Sequence, residues 1–286
     1  MKKTYKIYIT LAFIMLYAPL LIMVFFSFNS TESTGVFTGF STKWYQSLFE
    51  DSDGSIRSAL FYSITLAVTS SIIATFIGTL AAMGLSKFKR KYIKSAIMTV
   101  TNIPMVNPEI VTAVSLVLLF SAVFNIFHVK INDFASLLIA HITFNLPYVV
   151  LSVMPKIRQM DGSLTEAAMD LGCTPAKAFF KVELPQITPG IFSGLIMAFT
   201  MSFDDFVISH FTAGTIETLP LKIYSMTGKG SVTPDMYALS TFMMIAILLM
   251  LILSNLVQSK DEREKAKAMR LLKKAKMRSQ KGAVAK

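Results

Sequence analysis

Charged residues are scarce in this 286-residue chain, where Asp, Glu, Lys and Arg make up 16%. A soluble domain carries about a quarter. The scarcity is patterned. Ile7–Phe28, Ala59–Leu85, Phe134–Pro155 and Met236–Val257 contain no charged residue, and each is about as long as the roughly 20 apolar residues a membrane span needs. Cysteine occurs once, at Cys173, which excludes an intrachain disulfide. Histidine occurs three times, at His128, His141 and His210, with no H-E-x-x-H pair, so a metallohydrolase lacks that ligand set. The nucleotide-cradling G-x4-G-K-[ST] motif is also missing, and the chain cannot bind a nucleotide by that device.

What remains is apolar sequence in blocks. Ile187–Phe211 is apolar apart from Asp204, Asp205 and His210, and Ser95–Phe127 runs for 33 residues with the single charge Glu109. The expectation is an all-α integral membrane protein with six transmembrane helices, occupying residues 7–258. A short N-terminus, residues 1–6, precedes it, and a basic tail, residues 259–286, follows it. The first apolar run is longer than a signal peptide's core and is followed by Phe28-Asn29-Ser30 rather than a small-x-small cleavage site. It reads as a retained span.

Lys and Arg set the expected orientation. With the N-terminus in the cytoplasm, 23 of the 28 basic residues face inward and 5 outward. Both termini are then cytoplasmic. The net charge of +11 follows from that topology, and no nucleic acid need be invoked. The tail from Lys260, with 11 basic residues against Asp261, Glu262 and Glu264, reads as solvated or lying on anionic lipid.

Ser95–Phe127 is too long for one straight crossing, about 50 Å of helix against a core of about 30 Å. Pro104 and Pro108 predict a break there. Broken backbone survives in a membrane only beside protein or a water-filled cavity. Asn107, Pro108 and Glu109 are therefore expected either at a translocation path or at a helix interface, with Glu109 near mid-span. Small residues recur every fourth position at Ser70, Ala74, Gly78 and Ala82, and at Gly190, Gly194, Ala198 and Ser202, which predicts close helix packing. His141 is expected to bond across helices. Trp44, the only tryptophan, is either an interfacial anchor or a docking contact.

The segment Lys156–Gln186 is a different kind of sequence. Ser163-Leu-Thr-Glu166 matches a capping box, Gly172 stands where a helix should end in left-handed backbone, and Thr174-Pro175 suits the start of a second helix. Leu184-Pro185 is expected to end that helix. The product is a helical knob able to dock into a partner's groove. Glu166-Ala167-Ala168, three residues, Gly172, nine residues, then Val182-Glu183-Leu184-Pro185 resembles the EAA loop of permease subunits of ATP-binding cassette importers, with Val182 in place of the usual Ile. Gly39–Tyr45, Ser202–Asp205 and Leu219–Met226 resemble stretches of the second permease subunit of bacterial spermidine/putrescine importers.

The resemblance implies a type I importer permease fold, a transport subunit with no enzymatic activity and no cofactor of its own, and an inner-membrane location. It implies as partners an ATPase dimer, a homologous partner permease, an extracytoplasmic polyamine-binding protein and the lipid bilayer. It assigns ATPase coupling to Glu166, Ala167, Ala168, Gly172, Leu184 and Pro185. The acidic residues within the spans, Asp204, Asp205 and Glu109, are expected along the substrate path, the aspartates at the first encounter with the cargo and Glu109 at a second station, and they favour a cation over an anion. On a continuous fifth span Asp204 stands about 25 Å along the helix, with Asp205 on the small-residue stripe and Asp204 about 100° to one side. Phe203 and Phe206 are the neighbouring aromatics for cation–π contacts.

Overall fold

The computed structural model describes residues 2–32, 35–50, 54–88, 90–128, 132–227, 234–252 and 255–256. Every regular element among them is helical, apart from one isolated bridge between Asn29 and Phe40. The basic tail, and the reading of it as solvated or lying on anionic lipid, falls outside the described residues. The helices are α1 (Lys2–Phe26), α2 (Lys43–Glu50), α3 (Ser55–Lys87), α4 (Lys91–Val106), α5 (Glu109–Phe127), α6 (Asp133–Gln159), α7 (Gly162–Asp170), α8 (Pro175–Ala178), α9 (Leu184–Phe203), α10 (Val207–Thr212), α11 (Leu219–Thr227) and α12 (Pro234–Ile252). Among the described residues, six helical stretches are long and apolar enough to cross a membrane: Lys6–Phe26, Ser55–Lys87, Glu109–Phe127, Asp133–Gln159, Pro175–Phe203 and Pro234–Ile252.

The third expected span does break, at one proline rather than two. Pro104 is accommodated inside α4, while Asn107 is extended (φ −71°, ψ 143°) and Pro108 leads into α5. A residue before proline is pushed out of the α region by the proline ring, and Asn107 obeys. Glu109 therefore opens α5 instead of lying in mid-span as expected.

The fifth span departs further. The expected continuous helix Ile187–Phe211 stops at Phe203 and resumes at Val207, so the two aspartates occupy a break. The expected angular separation of Asp204 and Asp205 around one helix axis does not apply.

Two compact units divide the chain, one built from the described parts of Met1–Val68, Pro108–His141 and Ser202–Leu248, the other from those of Thr69–Asn107, Ile142–Met201 and Leu249–Lys286. In the second unit the small-residue stripes do what their spacing predicts. A Cβ placed on Gly78 would stand 2.7 Å from Val149 Cγ1, one on Gly194 3.4 Å from the same atom, and one on Gly190 2.8 Å from Lys156 Cγ. Both stripes thus close onto α6. Ala74, Ala82, Val149, Val150, Val153, Met154 and Ala198 form the buried core around them.

In the first unit Leu66, Leu137 and Ala213 form a smaller core. Three polar ties fix α10 and α11 to the longer helices. Ser136 Oγ donates to the Thr212 carbonyl at 3.1 Å. The Asp133 carboxylate accepts from the Thr215 backbone N–H at 2.8 Å. Ser63 Oγ accepts from the Leu219 N–H at 2.7 Å. Gly214 (φ +58°) has no room for a side chain, since a Cβ there would run into that Asp133 carboxylate. The stretch after α1 is knotted around buried Asn29, whose side chain bonds Val36 and Thr38. Trp44 Nε1 donates to the Asn29 carbonyl at 2.7 Å, so the tryptophan serves the fold of its own loop.

Candidate functional site

Two groups of residues carry chemistry that packing alone does not explain. The first is the knob after α6. Asp161 caps α7, its carboxylate accepting from the Ser163 N–H at 3.0 Å and the Ser163 hydroxyl at 2.7 Å. Those bonds, the hydroxyl's first, hold the Asp161 pKa below the usual carboxylate value. This corrects the expected Ser163–Glu166 capping box. Asp161 stands two residues upstream of Ser163, takes the N-cap position and occupies the serine hydroxyl.

Glu166 is left exposed on the surface, as is Ala167. α7 ends as Gly172 predicts: its φ is +89°, its N–H bonds the Met169 carbonyl at 2.9 Å, and the Cys173 N–H bonds Ala168 at 3.0 Å. That pair of bonds is the Schellman closure, which needs left-handed backbone at the glycine. Thr174 caps α8 through the Lys177 N–H, with Pro175 at its first position.

Leu184-Pro185 does not end the second helix, contrary to expectation. α8 widens into a π-helical turn, Phe179–Glu183, and continues directly into α9. A proline within a regular helix lacks its N–H and crowds the carbonyl four residues back. Here the Leu184 N–H reaches five residues back to Phe179, and Pro185 falls in the first turn after the wide segment. The apolar side chains of the knob are turned outward: Leu171 is 88% exposed, Phe180 64% and Leu164 51%. α7, α8 and the π turn pack on one another, and α7 buries none of its residues.

The second group surrounds the break between α9 and α10, where α10 packs along α5. Pro108, Glu109, Ile110, Phe206, His210 and Tyr224 line a cleft of about 450 Å³. Its aromatic rings form a cluster: the Phe206 centroid lies 4.7 Å from Tyr224 and 5.4 Å from His210, and His210 lies 5.8 Å from Tyr224. Glu109, Asp204, His210 and Tyr224 are all exposed. Asp204 feels both Glu109 and Asp205 as neighbouring like charges.

The sequence places Asp204 and Glu109 at two separate stations, whereas in the structure Glu109 is close enough to act on Asp204 as a like charge, and the aromatic companions differ as well. Phe203 is buried, 5% exposed, and takes no part in the cleft. Tyr224 and His210 do take part, and nothing in their spacing announced it, because a turn and a short helix separate Asp204 from Tyr224.

Asp205 is turned inward. Its carboxylate accepts from the N–H groups of Ser209 at 2.8 Å and Ile208 at 3.3 Å, capping α10. Behind it His141 is fully buried, with Nδ1 2.7 Å from Ser202 Oγ, Nε2 3.1 Å from Ser209 Oγ and Nε2 3.6 Å from the Asp205 carboxylate. The expected interhelical histidine bond is thus present.

Residues 74–259 match the family model described as "Binding-protein-dependent transport system inner membrane component". The chain belongs to this family. It is 38% identical over 239 residues to the putrescine transport system permease protein PotI of Escherichia coli (strain K12), covering 83% of this chain and 84% of the relative. It is 38% identical over 247 residues to the spermidine/putrescine transport system permease protein PotC of Haemophilus influenzae, covering 86% and 93%. Among solved structures, a chain of a bacterial ABC transporter involved in the import of the acidic polysaccharide alginate aligns with a TM-score of 0.69 at 15% identity, over 91% of this chain and 96% of that one. A chain of the MetNI methionine ABC transporter aligns at 0.58 and 16% identity, over 73% and 97%. The fold is that of ABC importer permeases, as expected. The protein is a multi-pass membrane permease subunit, a transport component rather than an enzyme.

Proposed function

We propose that this permease carries polyamines, and that the cleft lined by Glu109, Phe206, His210 and Tyr224, with Asp204 at the adjoining break, is where the cation meets this subunit. The observation that carries the reading is an exposed carboxylate, Glu109, sharing one cleft with an aromatic cluster, while exposed Asp204 stands at the adjoining break and feels Glu109 as a like charge. A polyamine is a flexible chain of protonated amines. Carboxylates pair with its charge, and aromatic faces attract an ammonium group within about 6 Å of the ring centroid. The relatives named for putrescine and spermidine transport support the same substrate class. An anion would meet carboxylates of its own sign.

Three further assignments belong to the proposal. The N- and C-termini face the cytoplasm, as the Lys and Arg distribution supports. The knob of Glu166, Ala167, Ala168, Gly172, Leu184 and Pro185 couples to an ATPase dimer, which its outward-turned Leu164, Leu171 and Phe180 support. Exposed apolar groups of that size on a rigid turn suit a protein socket. A homologous permease and an extracytoplasmic polyamine-binding protein complete the assembly. Uptake of labelled spermidine in cells with and without the gene, competed by putrescine, spermidine and unlabelled sulfate, tests the substrate class. Competition by sulfate, or no loss of uptake on deletion, would overturn it.

A further inference from the structure

The chemistry of the cleft does not account for His141. It sits on α6, fully buried, and neither ring nitrogen points to the cleft's own residues. One nitrogen meets Ser202 at the end of α9, and the other meets Ser209 on α10, on the far side of the break. The Ser209 hydroxyl also bonds the Asp205 carboxylate, and that carboxylate caps the first turn of α10. A six-residue helix with one cap is marginal by itself. Its direction has to be imposed from outside, and α10 is the element that carries His210, with Phe206 immediately before it.

We infer that His141 is the positioning residue of the cleft: rooted on α6 and steadied by Ser202, it holds α10 through Ser209 and so fixes where Phe206 and His210 stand relative to Glu109. The inference rests on the cleft being the cation site. His141 touches no cargo itself. Its two nitrogens have separable jobs, because the Nδ1 contact anchors the imidazole to the α9 side and the Nε2 contact reaches α10. The break is tolerated within protein because the Asp205 carboxylate takes the N–H groups of Ile208 and Ser209 left free where the helix resumes.

Two amide substitutions separate the jobs. Glutamine places its amide near the position of Nε2 and can keep the Ser209 bond; asparagine places its amide near Nδ1 and can keep only the Ser202 bond. Both are compared with wild type in whole-cell spermidine uptake across concentrations, with copurification of the ATPase subunit as the measure of assembly. His141→Gln is expected to hold the half-saturating concentration near wild type, and His141→Asn to raise it by about tenfold with assembly intact. A double-mutant cycle with Phe206→Leu adds a readout that general loss of stability would not move. Once the cleft ring is gone, His141→Asn should cost much less than it does alone. Equal half-saturation for the Gln and Asn variants, or additive effects in the cycle, would overturn the inference. Glu109→Gln is run in parallel to keep the two readings apart. Unchanged half-saturation there removes the cleft reading, whereas equal behaviour of the two His141 variants removes the His141 inference alone.

Discussion

Gly78 on α3 and Val149 on α6 approach so closely that a methyl group on the glycine would overlap the valine, at 2.7 Å from Cγ1 and 2.9 Å from Cβ. Val149 is fully buried, and Gly194 of α9 lies against it from another side. In lipid no hydrophobic force drives helices together, so contact of this kind supplies much of the association. Gly78→Ala is therefore expected to lower the thermal stability of the purified complex, by about 1–3 kcal/mol for an overpacked site. Val149→Ala in the same chain should restore most of it. Melting of the single variant at the wild-type temperature would show that the close approach is not required.

The knob gives a second prediction. Gly172 has φ +89° and open space where a Cβ would go, so a side chain there meets backbone strain and no clash. Gly172→Val should cost about 1–3 kcal/mol locally, distort the Schellman closure and weaken ATPase capture, while the protein still inserts. Copurification with the ATPase and ATP-driven uptake are the measurements. Wild-type values in both would remove the docking role of the turn.

Orientation is testable at one atom. Cys173, next to Gly172, is partly exposed and is the only thiol in the chain. A membrane-impermeant maleimide is expected to label inside-out vesicles and to spare intact spheroplasts. Labelling of spheroplasts to the same extent would reverse the assigned topology.

The two adjacent aspartates should behave differently. Asp204 is exposed and feels Glu109 as a like charge, so Asp204→Asn and Glu109→Gln are expected to raise the half-saturating polyamine concentration. A tenfold rise corresponds to ~1.4 kcal/mol of lost binding. Assembly should be unaffected. Asp205 is buried and caps α10, so Asp205→Ala should cost about 0.5–2 kcal/mol and appear first as a lower yield of folded complex. Matching uptake curves for wild type and the Asp204 and Glu109 variants, at subsaturating polyamine, would mean these carboxylates are structural.

What the sequence determined by itself is whatever depends on short-range chemistry and on the lipid. Six apolar blocks had to become helices, because backbone polar groups in hydrocarbon must bond within their own segment. Pro108 had to end a helix, since its ring excludes Asn107 from the α region. Gly172 had to take left-handed backbone, and the glycine stripes had to meet a neighbour. Tertiary structure decided the rest, where two local solutions were close in energy. Ser163 or Asp161 can cap the same helix, and the choice follows from which reaches the N-cap position first. Leu184-Pro185 ends a helix only if the turn before it is regular; a π turn lets the chain pass. The break at Asp204–Phe206 has no proline or glycine to signal it. It exists because Asp205, His141, Ser202 and Ser209 bond one another across three helices, and such a network is a property of packing that no window of sequence contains. Tyr224 joins the cleft for the same reason: Ser63, on α3, holds the first residue of α11 by its N–H.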